Sequence, residues 1–373
     1  TLSIVELCDS YGVSRKTGYK WIDRYLKEGP GGLLDRSRRP ASAPNSTSPE
    51  LVRAIIEARQ RHPSWGAKKL LKILRDKHPR WPWPQRTAVC DILKRNGLVA
   101  KKRRRRAIGH PGKPGKPTTI VTAPNDLWCA DYKVQFKTGN GRYCFPLTVT
   151  DDFSRYLIGC QALLNTSVAD AKPVFTRLFR EFGLPKRIRT DNGVPFATNT
   201  LARLSRLSAW WVRLGVIPEL IEPGKPQQNG RHERMRKTLK AEATRPPRAN
   251  YLAQQRRFNI FRAEFNDQRP HEALDLQTPG SLYEPSSREM PARVPRLEYP
   301  DRFETRYVSA NGGIRWNCRW VCVSTVCAGE YVGLEEIDHG IWNVYFGPLK
   351  LGRLLEPHLQ IEDAYGRLKR HDR

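Results

Sequence analysis

One short stretch limits how this chain can fold. Lys101, Lys102, Arg103, Arg104, Arg105 and Arg106 run without interruption and are followed by HPGKPGKP at 110–117. Six like charges repel one another, and a Gly/Pro-rich tract of this kind supplies no apolar face, so nothing here can join a packed core. The 373-residue chain must therefore fold on either side of an extended basic linker, placed at 99–120. Length alone suggests two or three domains.

Charge is distributed as unevenly as structure. Lys and Arg total 66 against 37 Asp and Glu, a formal net charge of +29. Residues 1–117 hold 28 basic and nine acidic side chains, so +19 of that excess lies in the first third of the chain. Such a field points to a polyanionic partner, of which nucleic acid is the usual one, and the linker is expected to track DNA phosphate. Binding should then weaken steeply with salt, log K falling about 0.9 per phosphate contacted. With 39% hydrophobic residues and ten Trp, the remainder can form true cores. No apolar run approaches the roughly 18 residues of a membrane helix, and no signal-peptide core opens the chain, which begins at Thr1. The expectation is a protein without membrane association, located in the cytoplasm.

Before the linker, two helical units are legible. LSIVELCDSYG ends at Gly12, and Ser14 can cap a second helix running to about Lys27. Helix, glycine turn, helix is the helix-turn-helix arrangement, assigned to 1–45. Its second helix would offer Arg15, Lys16, Thr17 and Lys20 to DNA from the end where such helices meet base edges. SPELVRAIIEARQ, SWGAKKLLKILRDKH and PQRTAVCDILKRNG then give three amphipathic helices in a second helical unit, 46–98, read as DNA-binding, with a plain three-helix bundle as the alternative.

After the linker the texture turns to strands. DLWCADYKVQF, GRYCFPLTVTDDFSRYLIGCQALL and KRIRT read as strands, with a turn at 137–141, and SVADAKPVFTRLFREFG as a helix. Three acids stand out. Asp131 lies within an otherwise apolar strand, where an ionised carboxylate is costly unless paired or cation-bound. Asp191 closes the strand RIRT, and Glu233 lies in the first turn of the helix HERMRKTLKAEA. Carboxylates converging at one sheet edge suit hard divalent cations. Singly, each has a plainer explanation: Asp-Asn-Gly is a common turn, and Glu in a first turn favours the helix dipole. Asp151 and Asp152 are rival second acids.

From about 125 to 290 the chain resembles the catalytic core of bacterial insertion-sequence transposases and retroviral-type integrases. The resemblance rests on Trp128 and Asp131 in LWCADYK; Asp152, Ser154 and Arg155 in DDFSR; and Asp191 to Gly193 in TDNG. It continues with Pro226, Asn229, Gly230, Glu233 and Arg234 in PQQNGRHER, and with Asn266, Arg269, Pro270 and His271 in FNDQRPHEALDLQTP. It implies a multidomain protein with all-α helix-turn-helix N-terminal domains, an α/β ribonuclease-H-like core (121–290) and a small all-β, SH3-like barrel (295–362). It further implies that Asp131, Asp191 and Glu233 are the catalytic and metal-binding triad, with Asp131 bridging two Mg²⁺ and Mn²⁺ able to substitute. Water would free a 3′-OH at the element's end, and that hydroxyl would attack target DNA at the same site.

On the Glu233 helix, Arg236, Lys237 and Lys240 share the carboxylate's face and are expected to hold DNA. Asn229 is a further DNA-contact candidate, His232 one for substrate positioning, while Arg269, Pro270 and His271 are expected to fix the end of a helix over 251–266. Asp191 and Glu233 are separated by 41 residues (192–232), several more than the family's usual interval, and LARLSRLSAWWVRLG (201–215) reads as an enlarged helix absorbing the excess. The expected partners are double-stranded DNA at the element's ends and target, further copies of the chain (dimer or tetramer) on DNA, and an accessory protein; nucleoid association follows. Two other functions fit parts of the pattern: a domesticated, catalytically silent DNA-binding regulator, and a ribonuclease-H-like nuclease.

At the C-terminal end, ETRYVSANGGIRWNCRWVCVS reads as a hairpin through Asn311-Gly312-Gly313, followed by strands in EYVGLEEI and GIWNVYFG, about five in all. Within it, Trp316, Cys318, Trp320 and Cys322 alternate, which places all four on one strand face. The eight Cys lack paired metal-ligand spacing, so buried thiols are expected rather than zinc.

Overall fold

The computed structural model describes residues 3–36, 46–99, 119–132, 135–222 and 226–363. The linker cations Lys101 to Arg106 lie outside these residues. The chain divides into two compact units, Thr1–Arg53 and Ala54–Arg373.

In the first unit, α1 (Ile4–Ser10) and α2 (Arg15–Glu28) are joined through Gly12, whose φ of 62° suits glycine. Ser3 and Glu6 form a reciprocal capping box on α1, and the Ser14 hydroxyl accepts from the Thr17 amide on α2. A Cβ on Gly18 would stand 2.5 Å from the Cys8 Sγ, so glycine lets the buried Cys8 of α1 seat against α2.

Three further helices follow: α3 (Pro49–Arg61), α4 (Ala67–Lys77) and α5 (Arg86–Arg95), the division between units falling within α3. Ile55, Ala58, Leu70, Leu71 and Leu74 are buried, as the helical periodicity requires.

The strands of the next region are β1 (Leu127–Asp131), the short pair β2 (Phe136–Lys137) and β3 (Tyr143–Cys144), β4 (Leu147–Asp151) and β5 (Leu157–Gln161). Helix α6 (Val168–Phe182), capped by Ser167, leads to β6 (Arg187–Thr190); α7 (Arg206–Arg213) leads to β7 (Ile217–Leu220). The sheet order is β5-β4-β1-β6-β7, antiparallel across β5, β4 and β1 and parallel across β1, β6 and β7. Helices cover both faces. Trp128, Phe175, Phe179, Phe196 and Trp211 build one core; Leu157, Cys160, Met235, Leu239, Phe258 and Phe261 build the other with α8 (Gly230–Ala243) and α9 (Tyr251–Ala263). With both faces covered, β1 is buried along its whole length.

Asp126 anchors the entry to β1. Burial opposes its charge, but the Lys186 ammonium at 2.8 Å and the donors of Thr122 and Ala123 outweigh that and hold the carboxyl well below its usual 3.8. A depressed acid stabilises the fold above the unfolded-state value and loses that contribution as pH falls through the folded one. Asp126→Asn should therefore cost about 2 kcal/mol at neutral pH and flatten stability loss below pH 3.8, read by urea melts across pH.

One sequence expectation changes here. Residues 201–215 do not form one enlarged helix: Leu201–Arg203 is a 3₁₀ turn broken by left-handed Ala202 (φ 51°), and α7 starts afresh at Arg206 behind the Ser205 cap. The break has a packing cause. Leu201, Leu204, Ala209 and Val212 are buried in the core of the C-terminal β region, while Leu207 and Trp211 face the sheet. One regular helix would not divide its apolar residues this way.

The C-terminal strands are β8 (Glu304–Tyr307), β9 (Gly313–Trp316), β10 (Arg319–Cys322), β11 (Tyr331–Asp338), β12 (Ile341–Phe346), β13 (Leu349–Leu355) and β14 (Gln360–Glu362). They form an antiparallel five-stranded sheet, β14-β13-β12-β11-β8, and a β10-β9 ribbon. The paired hairpin turns at Asn317 and Cys318 (φ 46° and 60°), not at Asn311-Gly312-Gly313, which forms a tight turn between unpaired strands. That turn resets the alternation. Trp316 is buried, whereas Cys318 and Cys322 are exposed, so the four residues do not share a core face.

Candidate functional site

Strand parity decides where the acids point. Trp128 and Ala130 face the α6 side, so Asp131, with Cys129, faces the opposite side. On β6, Ile188 joins the α6-side core, leaving Arg189 and the following Asp191 on the other face. The strands are parallel with Cys129 beside Arg189 and Ala130 beside Thr190. One step further, Asp131 and Asp191 stand at neighbouring strand ends on the same side of the sheet. Asp131 is the last residue of β1, not an interior one.

Helix α8 crosses that side. His232 is 1% exposed and both ring nitrogens meet hydroxyls of β4, Nε2 with Thr148 at 2.9 Å and Nδ1 with Thr150 at 2.7 Å. It pins the helix, and its ring is not open to substrate. Arg236 donates from Nη1 to Asp131 Oδ2 at 2.5 Å. Glu233, one turn before it, is about half-exposed and pairs with Lys237 at 3.4 Å. Lys240 is exposed on the same helical face. Asp191 accepts from the Gly193 amide at 3.1 Å, an approach that glycine permits.

Asn229 precedes α8, 7% exposed, and its buried Oδ1 has no hydrogen-bond partner among the described residues. In the first unit, Arg15, Lys16 and Lys20 are exposed, while the half-buried Thr17 hydroxyl lies 2.9 Å from Ser14 Oγ.

The rival acids separate clearly. Asp151 is fully buried and accepts from the Asn125 amide (2.8 Å) and from the Ser154 amide and hydroxyl (both 2.7 Å). Burial pushes its carboxyl up against the pull of these donors. Asp152 pairs with Arg231 at 2.8 Å and lies 3.8 Å from Arg155. Both are occupied in holding the turn and α8. Arg269, expected at the end of α9, does donate its amide to Glu264 there, and its guanidinium also grips Glu242 of α8 at 2.7 and 3.0 Å.

A positioning group escaped the sequence reading. Arg189 and Glu219, both nearly buried, pair across β6 and β7 at 2.6–2.8 Å, and the same guanidinium donates to the Gln228 carbonyl at 3.1 Å. The Gln228 side chain in turn bonds Glu222 through its amide at both ends. These contacts tie the approach to α8 to the strand that carries Asp191. Its signal in the sequence was slight, an Arg in the short strand RIRT.

Among the described residues no three His, Cys, Asp or Glu side chains are grouped closely enough to hold a metal ion. The donor chemistry nonetheless suits a hard cation: carboxylate oxygens only, two at adjacent strand ends, with Arg236 and Lys237 currently supplying the positive charge.

Residues 121–226 and 214–279 match the integrase core domain, and 17–93 a homeodomain-like domain. The 39.2 kDa protein of insertion element IS476 from Xanthomonas euvesicatoria is 28% identical over 254 residues, covering 67% of this chain and 69% of that protein. The 31.7 kDa protein of insertion element IS407 from Burkholderia multivorans is 29% identical over 192 residues, 51% of this chain and 66% of that one. The chain thus spans about two thirds of the length of these relatives. Among solved structures, the HTLV-2 integrase catalytic core domain in complex with magnesium aligns with 43% of this chain and 98% of its own, at 16% identity and a TM-score of 0.35.

Proposed function

The chain belongs to the insertion-sequence DDE transposases of the ribonuclease-H-like integrase superfamily, and on that premise we propose that it binds the terminal repeats of its element, cleaves phosphodiesters there and joins the freed 3′-OH to target DNA. Membership implies polynucleotidyl transfer. The observation that carries the finer reading is the pairing of Asp131 and Asp191 on one face at adjacent parallel strand ends, with α8 bringing Glu233 across the same side.

In this reading Asp131, Asp191 and Glu233 hold divalent cations, Mg²⁺ by donor chemistry. Such cations, when bound, polarise the phosphoryl oxygens and stabilise the charge on attacking and leaving oxygens. The chain's own residues do the rest. Arg236, now against Asp131, is freed to meet phosphate when the carboxylate is neutralised otherwise. Lys237 and Lys240 project from the same helical face toward the DNA end. The clasp of Arg189, Glu219 and Gln228 fixes the start of α8, which keeps Glu233 in register with the strands. Arg15, Lys16 and Lys20 read the repeat, and two DNA ends require at least two protomers on DNA.

The test uses a labelled duplex bearing one terminal repeat, supercoiled plasmid and purified protein. Joined product should form with Mg²⁺ or Mn²⁺ and vanish on chelation, while repeat binding by the basic N-terminal third persists. Tight repeat binding with no joining under any metal would instead mark a silent regulator.

A further inference from the structure

Helix α8 has a second flank. Arg231, Arg234, Met235 and Thr238 recur at helical spacing on the side opposite Glu233, Arg236 and Lys240, and they line a cavity of about 740 Å³ that reaches across to Lys69 of α4. Its cations are Lys69, Arg155, Arg231, Arg234 and Arg269. The acids lining it are already engaged: Asp151 by Ser154 and Asn125, Asp152 by Arg231, and Glu272 by Lys68 at 2.9 Å. Lys69 and Arg234 have no hydrogen-bond or ion-pair partner for their charged ends among the described residues, and Arg155 Nη1 and His271 Nε2 are buried without a hydrogen bond. Positive charge here exceeds what the protein itself neutralises.

We propose that this cavity receives a backbone phosphate of the DNA bound over α8, with Lys69 and Arg155 as its ligands and Arg234 at its rim. The proposal rests on the transposase reading above. An α-helix is about 10–12 Å across, close to the roughly 12 Å width of the major groove. With the exposed ridge of α8 (Arg234, Lys237) in that groove, one strand's backbone runs past the catalytic carboxylates and the other strand's runs past the cavity. The electrostatics agree: burial first, then Arg269, depresses the Lys69 amine to about 8, and burial with Lys69, Arg269 and Arg155 depresses His271 to about 3. An anion would relieve both. The second helical unit would then serve the core directly, since α4 supplies one wall of a site whose other wall is α8.

The experiment measures repeat-duplex affinity of the full chain by fluorescence anisotropy between 50 and 200 mM salt, for wild type, Lys69→Gln and Lys69→Arg. Lys69 is half-buried and unpaired among the described residues, and thermal melting of each variant checks that it folds. Lys69→Gln should weaken binding about five-fold at the lowest salt and reduce the slope of log K by about 0.9, with Lys69→Arg restoring both. An unchanged slope overturns the proposal. So does inorganic phosphate that binds wild type and not Lys69→Gln in calorimetry while the DNA slope stays the same, since the cavity would then hold a free anion. Strand joining is read in the same samples. Joining with an unaltered Lys69 slope sinks the cavity alone, whereas a Lys69-dependent slope without joining sinks the catalytic reading and leaves the cavity standing.

Discussion

Glu233→Gln should abolish strand joining while leaving repeat binding within about two-fold of wild type. The amide keeps the shape of the side chain but removes the charge that would hold a cation in the proposed site, and cation stabilisation of a transferring phosphoryl group contributes several kcal/mol. Taking about 4 kcal/mol, the rate falls about 10³-fold. Glu233 is half-exposed and its ion pair with Lys237 is a surface contact, so stability should barely change. Loss of joining with unchanged melting separates a catalytic role from a structural one. Full activity in Glu233→Gln would remove the residue from the triad, and attention would pass to the strand-end pair, Asp131 and Asp191.

Asp151→Ala is expected to fail in the opposite way. Three donors, the amides of Asn125 and Ser154 and the Ser154 hydroxyl, converge on a carboxylate with no exposed surface. Each buried donor left unsatisfied costs about 1–3 kcal/mol, so about 4 kcal/mol in total is a fair expectation. Against a typical net stability of 5–15 kcal/mol, that brings the domain close to unfolding. The measurement is urea denaturation: a large drop in midpoint with an unchanged slope. A variant that folds as wild type but joins no DNA would return Asp151 to the list of metal ligands.

Local chemistry made much of this protein legible in advance. Ser14 and the Gly12 turn announced a helix start and a helix stop because caps act over three or four residues. The basic excess could be located from composition, and the resemblance to a known family ordered the segment from Trp128 to His271 into motifs. Errors arose where several residues of ambiguous preference met a packing demand. The paired hairpin formed at Asn317-Cys318 rather than at Asn311-Gly312, which turns between unpaired strands, and this moved the register by several residues and turned two thiols outward. Leu201 to Gly215 carried a helical pattern, yet two cores claim its apolar side chains, and the backbone breaks at Ala202 to serve both. His232 looked available for substrate because nothing nearby in the chain reveals Thr148 and Thr150, more than eighty residues earlier.

The chain's own pattern thus pointed to a polyanionic partner, outlined most of the helices and strands and singled out candidate acids, since charge, period and capping are written in neighbouring residues. Which face those acids share was decided in three dimensions, by the parallel pairing of β1 with β6 and by the contacts of Arg189, His232 and Arg236 that set α8 across them. The cavity beside Lys69 belongs to the same category. Pairings between residues 40 to 200 positions apart depend on competing burial and ion-pair energies over the whole fold, and no local preference encodes them.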